Sequence, residues 1–116
     1  MTDLHDTLLT LDSHIDIPWP DRQDAWAEET PRQVNVPKTR KGGLRAVCLA
    51  AYIPQSPRDE AGHAEGWERV QGMLDVIAGF EGRQGDHGAR VCRTAADVRA
   101  AYKAGDLAVI PAIENG

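Results

Sequence analysis

The sequence predicts an α/β fold built on a parallel sheet, and two observations lead to that prediction. Apolar, strand-like segments lie at 7–18, 44–54 and 107–113, and two helical patterns separate the last two of them. Such helical connections join parallel strands, because the chain must return to the same end of the sheet before the next strand begins. The middle segment is continuously apolar over 46–53, which is typical of a strand buried on both faces.

Charge and hydropathy exclude several classes of protein. The chain has 116 residues and a formal net charge of −5, from 13 basic and 18 acidic side chains. This balance argues against a nucleic-acid partner, which would be bound through basic residues. No apolar run reaches the length of about 18 residues needed to cross a membrane, so no membrane partner is expected. The polar, acidic start lacks a secretory signal, so we expect a cytoplasmic location, with Cys48 and Cys92 reduced.

The first strand-like segment, 7–18, alternates between two faces. Leu9, Leu11, Ser13 and Ile15 are predicted on one face, and Thr10, Asp12, His14 and Asp16 on the other. Two prolines, Pro18 and Pro20, are expected to end this strand. The polar stretch 21–32 is predicted to be irregular, and 34–43, which contains Pro37 and a glycine pair, to be a loop.

Two helices are predicted between the second and third strands. The first spans 62–79 and carries one apolar stripe, formed by Trp67, Val70, Met73, Leu74, Ile77 and Phe80. After a glycine-rich turn at 82–88, the second helix begins near Thr94, which forms a capping-box pattern with Asp97. Gly105 is expected to end this helix. The third strand, 107–113, follows it, although Pro111 is unusual inside a central strand.

Three side chains at predicted strand ends could bind a metal ion. His14 and Asp16 are two residues apart on a strand, so their side chains project to the same side. Glu114 follows the third strand, and the carboxyl ends of parallel strands lie on one edge of the sheet. One imidazole and two carboxylates suit zinc. Asp12 could orient the His14 side chain without binding the metal ion itself, or it could be a buried polar residue with another hydrogen-bond partner.

These segments resemble the membrane (renal) dipeptidase family of zinc peptidases. Residues 12–18, DSHIDIP, resemble the opening strand of that family, and 36–43 with the apolar run to Tyr52 resembles its second strand. Residues 94–116 resemble its third unit, which ends in a Glu-x-Gly signature. A closed barrel of eight β/α units takes about 250 residues. The resemblance therefore implies that 1–116 is a single partial domain, about three units from the N-terminal part of a TIM-like barrel.

The resemblance also implies an activity and a division of the site. The family hydrolyses dipeptides at a two-zinc centre, in which His14 and Asp16 would hold the first ion and Glu114 would bridge both. The histidine pair for the second metal, the substrate-polarising histidine and the catalytic aspartate of the family lie on later strands. We therefore expect no catalytic residue within this chain and at most one zinc ion. His63 and His87 are not assigned to those roles.

Other interpretations stay open at this point. Trp19 and Tyr52 follow predicted strand ends, so they could line the substrate side of the site or pack against loops. The chain could be a non-catalytic fragment that binds one metal ion or a partner chain. An amidohydrolase of another type is disfavoured, because those sites usually begin with His-x-His. With three strands, we expect the first and third to leave open sheet edges.

Overall fold

A computed structural model describes residues 2–17 and 24–115 and contains a parallel sheet with flanking helices. In chain order the elements are α1 (Leu4–Thr7), β1 (Leu11–Asp16), α2 (Val36–Lys41), β2 (Ala46–Tyr52), α3 (Glu60–Ala78), β3 (Ala89–Val91), α4 (Ala95–Ala104) and β4 (Leu107–Glu114). The predicted α/β class with parallel pairing is therefore confirmed.

The sheet has four strands in the described part of the chain, in the order β1-β2-β4-β3. Strand β3 was not predicted, because three residues after a glycine-rich turn carry too little of a pattern to be recognised. It pairs with the first part of β4, at Leu107 to Val109. The third predicted strand is β4, and the prediction that it forms an open edge is therefore wrong where β3 pairs with it. The outer strands of the described sheet are β1 and β3.

The two faces of the sheet are covered differently. Helix α3 packs on one face, where Val70, Met73 and Ile77 join Val47 and Leu49 in the main core. Helix α4 packs on the opposite face. The connection from β2 to β3 passes over β4, and the connection from β3 to β4 returns toward β2. Because both connections are right-handed, they place their helices on opposite faces of the sheet. The small core beneath α4 lies at the amino ends of β2 and β4 and contains Ala46, Cys92, Ala101 and Ala108. Among residues 2–17 and 24–115, no helix packs on the carboxyl end of that second face, where Tyr52 and Glu114 are exposed.

The segment predicted as a loop at 34–43 contains helix α2. Asn35 begins this helix, since its side-chain oxygen accepts a hydrogen bond from the Lys38 main-chain N–H at 2.9 Å. Pro37 lies in the first turn, where a helix does not need its missing N–H group. The loop prediction is therefore wrong. It treated the proline and the glycines as residues that prevent a helix, whereas here they lie at the start and the end of a short one.

The two longer helices follow the predicted pattern with one exception. Helix α3 begins two residues before the predicted start, with Asp59 as its N-cap. Most of its apolar stripe is buried, but Trp67 is 68% exposed and does not belong to the core. Helix α4 has the predicted capping box between Thr94 and Asp97, and Gly105 ends it in the left-handed region at φ 77°. None of the helices in the described residues has the length and apolar character needed to cross a membrane.

Pro111 lies inside β4 without interrupting the sheet. Residues of a strand point their N–H and C=O groups alternately to the two neighbouring strands. Ala108 donates to the Arg45 carbonyl on the β2 side, whereas the Val109 carbonyl accepts from Cys92 on the β3 side. Pro111 therefore faces the β3 side, where β3 has already ended at Val91. The missing N–H therefore interrupts none of the pairing observed between β4 and its neighbours.

The buried carboxylate of Asp106 fixes the start of β4. It accepts hydrogen bonds from the main-chain N–H groups of Gly85 and Gly88 at 2.8 Å each, and it pairs with the Arg90 Nε at 2.6 Å. Burial alone would raise the pKa of Asp106, but these donors outweigh it and the pKa lies below its usual value. The contacts join the 83–88 turn and β3 to the residue that immediately precedes β4.

Candidate metal centre

The candidate site lies at the carboxyl ends of β1 and β4, on the face that α4 leaves open. Asp16 is level with Ala50 of β2, and Glu114 is level with Tyr52, so Asp16 and Glu114 point to the same side of the sheet. Their strands flank β2. Because Ala50 is small and buried beneath them, their side chains can approach each other above it.

His14 completes the cluster. Its Nε2 atom lies 3.1 Å from the Asp16 Oδ1 atom and 3.0 Å from the Glu114 Oε2 atom. One ligand atom from each of the three residues lies within 4.8 Å of the others. In the described part of the chain, no other group of three or more His, Cys, Asp or Glu side chains meets this criterion.

These three side chains fit a divalent metal ion. Zinc–nitrogen and zinc–oxygen bonds of 2.0–2.2 Å place the ligands of a tetrahedral site about 3.4 Å apart. The observed separations of 3.0 and 3.1 Å are close to that value. A single imidazole nitrogen that faces two carboxylates can offer them at most one shared proton, whereas a divalent cation contacts all three groups. The side chains are 45–68% exposed, so water can complete the coordination.

Comparison with known proteins identifies the family. The family model described as Membrane dipeptidase (Peptidase family M19) matches residues 1–116. The chain belongs to the membrane dipeptidase family. Among the curated proteins no relative matches the chain.

One solved structure has a similar fold. It is the crystal structure of the probable dipeptidase PvdM from Pseudomonas aeruginosa, with a TM-score of 0.78 and 20% sequence identity. The match covers 95% of this chain and 29% of that chain, so the chain described here spans less than a third of the length of the solved protein. The similarity supports the predicted partial TIM-like α/β fold.

A bulge in β1 changes the position of Asp12. Asp12 is level with Val47 and Ile15 with Leu49, so three steps along β1 correspond to two along β2. The predicted two-residue alternation is therefore interrupted, and Asp12 faces the α3 side of the sheet rather than the Asp16 side. Its carboxylate accepts a hydrogen bond from the His14 main-chain N–H at 3.0 Å. Asp12 thus holds the bulge that carries His14, and the expected contact with the imidazole ring is replaced by a main-chain contact.

The other sequence-predicted residues lie in different places. Tyr52 is level with Glu114 on the same face and is 39% exposed, which leaves it available beside the cluster. Trp19 lies outside the described residues. His63 is in the first turns of α3, and His87 is in the turn before β3; neither belongs to the cluster. Both cysteines are free thiols, as expected.

Two polar residues near the end of β4, Asn115 and Gln55, were not predicted to belong to the site. Asn115 adopts a left-handed conformation with φ 59°, and its side chain contacts the chain that continues from β2. Gln55 donates a hydrogen bond to the Asn115 side chain at 2.9 Å. The signal that could have found Asn115 is its residue type, since asparagine is the non-glycine residue that most readily ends a strand in this conformation.

Proposed function

We propose that this chain is part of a zinc-dependent dipeptidase and supplies the ligands of its first metal ion. The observation that carries the proposal is the convergence of His14, Asp16 and Glu114 at one sheet edge, with 3.0–3.1 Å between the imidazole nitrogen and the two carboxylates. Membership of the membrane dipeptidase family supports peptide hydrolysis as the reaction.

Each of the three residues has a distinct part in holding the ion. His14 would offer its Nε2 atom, and Asp16 and Glu114 would each offer a carboxylate oxygen, so two negative charges balance a divalent cation. When bound, the ion supplies Lewis-acid polarisation of a carbonyl group and lowers the pKa of water. Family resemblance further supports Glu114 as the bridge to a second ion. The position of Glu114 at the end of β4 leaves its carboxylate accessible for that role.

The substrate would approach from the open face of the sheet. Tyr52 lies on that face beside Glu114, and its half-exposed ring could pack against a dipeptide side chain. We propose a dipeptide substrate, a cytoplasmic location and no nucleic-acid or membrane partner, in line with the acidic composition. Trp19 is proposed as a second substrate-side residue.

We further propose that the 116 residues alone do not hydrolyse peptides. The family's histidine pair for the second metal and its catalytic aspartate are expected on later strands, and the described residues bring together one cluster of three candidate ligands. Metal binding by this part and catalysis by the complete barrel are therefore separable properties.

The test is a dipeptidase assay with zinc on the chain alone and after mixing with the remaining β/α units of a family member. We expect no hydrolysis by the chain alone and hydrolysis by the mixture, which Glu114→Gln should reduce at least 100-fold. The exposed-loop variant Gln84→Ala is the control and should retain activity. A mixture that assembles and binds zinc without hydrolysis would instead favour the non-catalytic alternative.

A further inference from the structure

Asn115 ends β4 in a conformation that few side chains adopt. Its φ of 59° lies in the left-handed region, directly after Glu114. Asparagine tolerates this region better than other non-glycine residues. Glycine would adopt the same backbone more easily, but it would have no side chain to contact the neighbouring segment. The choice of residue therefore combines a backbone requirement with a side-chain contact.

The Asn115 amide joins the ends of two strands. Its Nδ2 atom donates to the Ile53 carbonyl at 2.7 Å, and its Oδ1 atom accepts from the Gln55 Nε2 atom at 2.9 Å. A carbonyl can only accept, so the contact with Ile53 determines which end of the amide faces Gln55. The Ile53 main-chain N–H also donates to the Glu114 carbonyl at 3.2 Å. These three hydrogen bonds form what we call the Asn115 clamp.

The Asn115 clamp holds the main chain on both sides of the Glu114 carbonyl. Glu114 is the last residue of β4, and its side chain is 45% exposed. Apart from the contact with His14, little packing restrains its carboxylate, and a metal ion would have to order it on binding. The clamp restricts the Glu114 backbone before any ion arrives. Asn115 and Gln55 themselves lie outside the three-residue cluster.

We propose that Asn115 and Gln55 are positioning residues that preorganise Glu114 for a divalent ion. The inference rests on the proposed function, because it assumes that Glu114 is a metal ligand. Residues that orient metal ligands typically change metal affinity by 10–100-fold when they are removed. We expect the lower end of that range here, because the hydrogen bonds of the clamp are exposed to water.

The experiment is a Co²⁺ titration of the full chain, followed by calorimetry and by the visible absorption of the bound ion. Asn115→Gly keeps the left-handed backbone and removes both side-chain hydrogen bonds. Gln55→Ala removes one of them. Gln84→Ala is the matched control, because Gln84 makes a similar exposed hydrogen bond of 2.9 Å to Glu81, outside the cluster. Melting temperatures without metal are measured for all variants.

We expect Asn115→Gly to weaken Co²⁺ binding about 10-fold and to alter the absorption spectrum, with Gln55→Ala giving a smaller loss. The control should bind like the wild type. Gln55→Ala should have no further effect in the Asn115→Gly background, because its partner is already absent. Without metal, Asn115→Gly should melt within about 2 °C of the control.

Two results would overturn the proposal, and they are distinguishable. If Asn115→Gly binds Co²⁺ with the wild-type affinity and spectrum, then Asn115 does not position Glu114, even if the variant melts earlier. In that case the metal centre itself stands, because the wild-type titration is intact. If the wild type shows no binding, the proposed function fails first, and the positioning role fails with it.

Discussion

Replacing Asp106 by asparagine should strongly destabilise the fold while leaving its shape nearly unchanged. The carboxylate is fully buried at the side chain and accepts from two main-chain N–H groups and from the Arg90 guanidinium. Asparagine has one oxygen in place of two and presents an NH₂ group to donors that need an acceptor. It also leaves the Arg90 charge without its carboxylate partner. The substitution therefore weakens the contacts of the residue before β4 with the 83–88 turn and with β3.

The cost follows from the number and kind of these contacts. Breaking a buried charge pair costs about 3–5 kcal/mol. We take the lower value, about 3 kcal/mol, because Arg90 is partly exposed and the asparagine oxygen can still accept one hydrogen bond. For a chain of this size, 1 kcal/mol corresponds to about 4 °C in melting temperature, so the expected decrease is about 12 °C. The matched control, Asp86→Asn, makes the same chemical change at an exposed position of the same turn and should have little effect.

Thermal unfolding followed by circular dichroism measures the difference at pH 7 and at lower pH. The pKa of Asp106 is lowered in the folded chain, so its contribution is present above the unfolded pKa of about 3.9 and is lost as the pH falls through the folded value. The gap between the wild type and Asp106→Asn should therefore narrow below pH 4. A decrease in melting temperature no larger than that of Asp86→Asn at pH 7 would show that the buried Asp106 carboxylate does not stabilise the fold.

Two further predictions concern packing and the sheet edge. Trp67→Ala should change the free energy of unfolding by no more than about 0.5 kcal/mol, whereas Met73→Ala should lower it by about 3 kcal/mol, because only Met73 is buried. Denaturant unfolding measures both values. Equal losses for the two variants would contradict the exposed position of Trp67. Pro111→Val should increase self-association in light scattering, because it adds an N–H donor on the side of β4 where β3 has ended. An unchanged or lower scattering signal would show that Pro111 does not protect this edge.

The parts of the fold that sequence predicted best were those with strong local chemistry. The capping box of Thr94 and the left-handed Gly105 bound α4 as expected, because both signals depend on neighbouring residues alone. The strand β2 was predicted from its apolar run. Short elements were missed, since β3 has three residues and exists only through its pairing with β4. The position of Trp67 also depends on what covers the helix, which local spacing does not contain.

For the candidate site, the sequence predicted which three side chains lie close together, but not what surrounds them. Parallel pairing brings the ends of β1 and β4 to one edge, so the closeness of Asp16 and Glu114 follows from the fold class. The bulge in β1 could not be predicted, because the register of a strand depends on its neighbour as well as on its own alternation. It moved Asp12 to the opposite face. The Asn115 clamp joins residues about 60 positions apart, a distance over which single-sequence patterns carry no information.

A Zn²⁺ titration by calorimetry of the wild-type chain and four variants tests whether His14, Asp16 and Glu114 bind a metal ion. We expect at most one weakly bound equivalent for the wild type, because the three candidate ligands form one cluster on an open face at the carboxyl end of the sheet. His14→Ala and Glu114→Ala should abolish this binding, and His63→Ala and His87→Ala should leave it unchanged. Two tightly bound equivalents, or binding that survives His14→Ala, would contradict the assignment of the ligands.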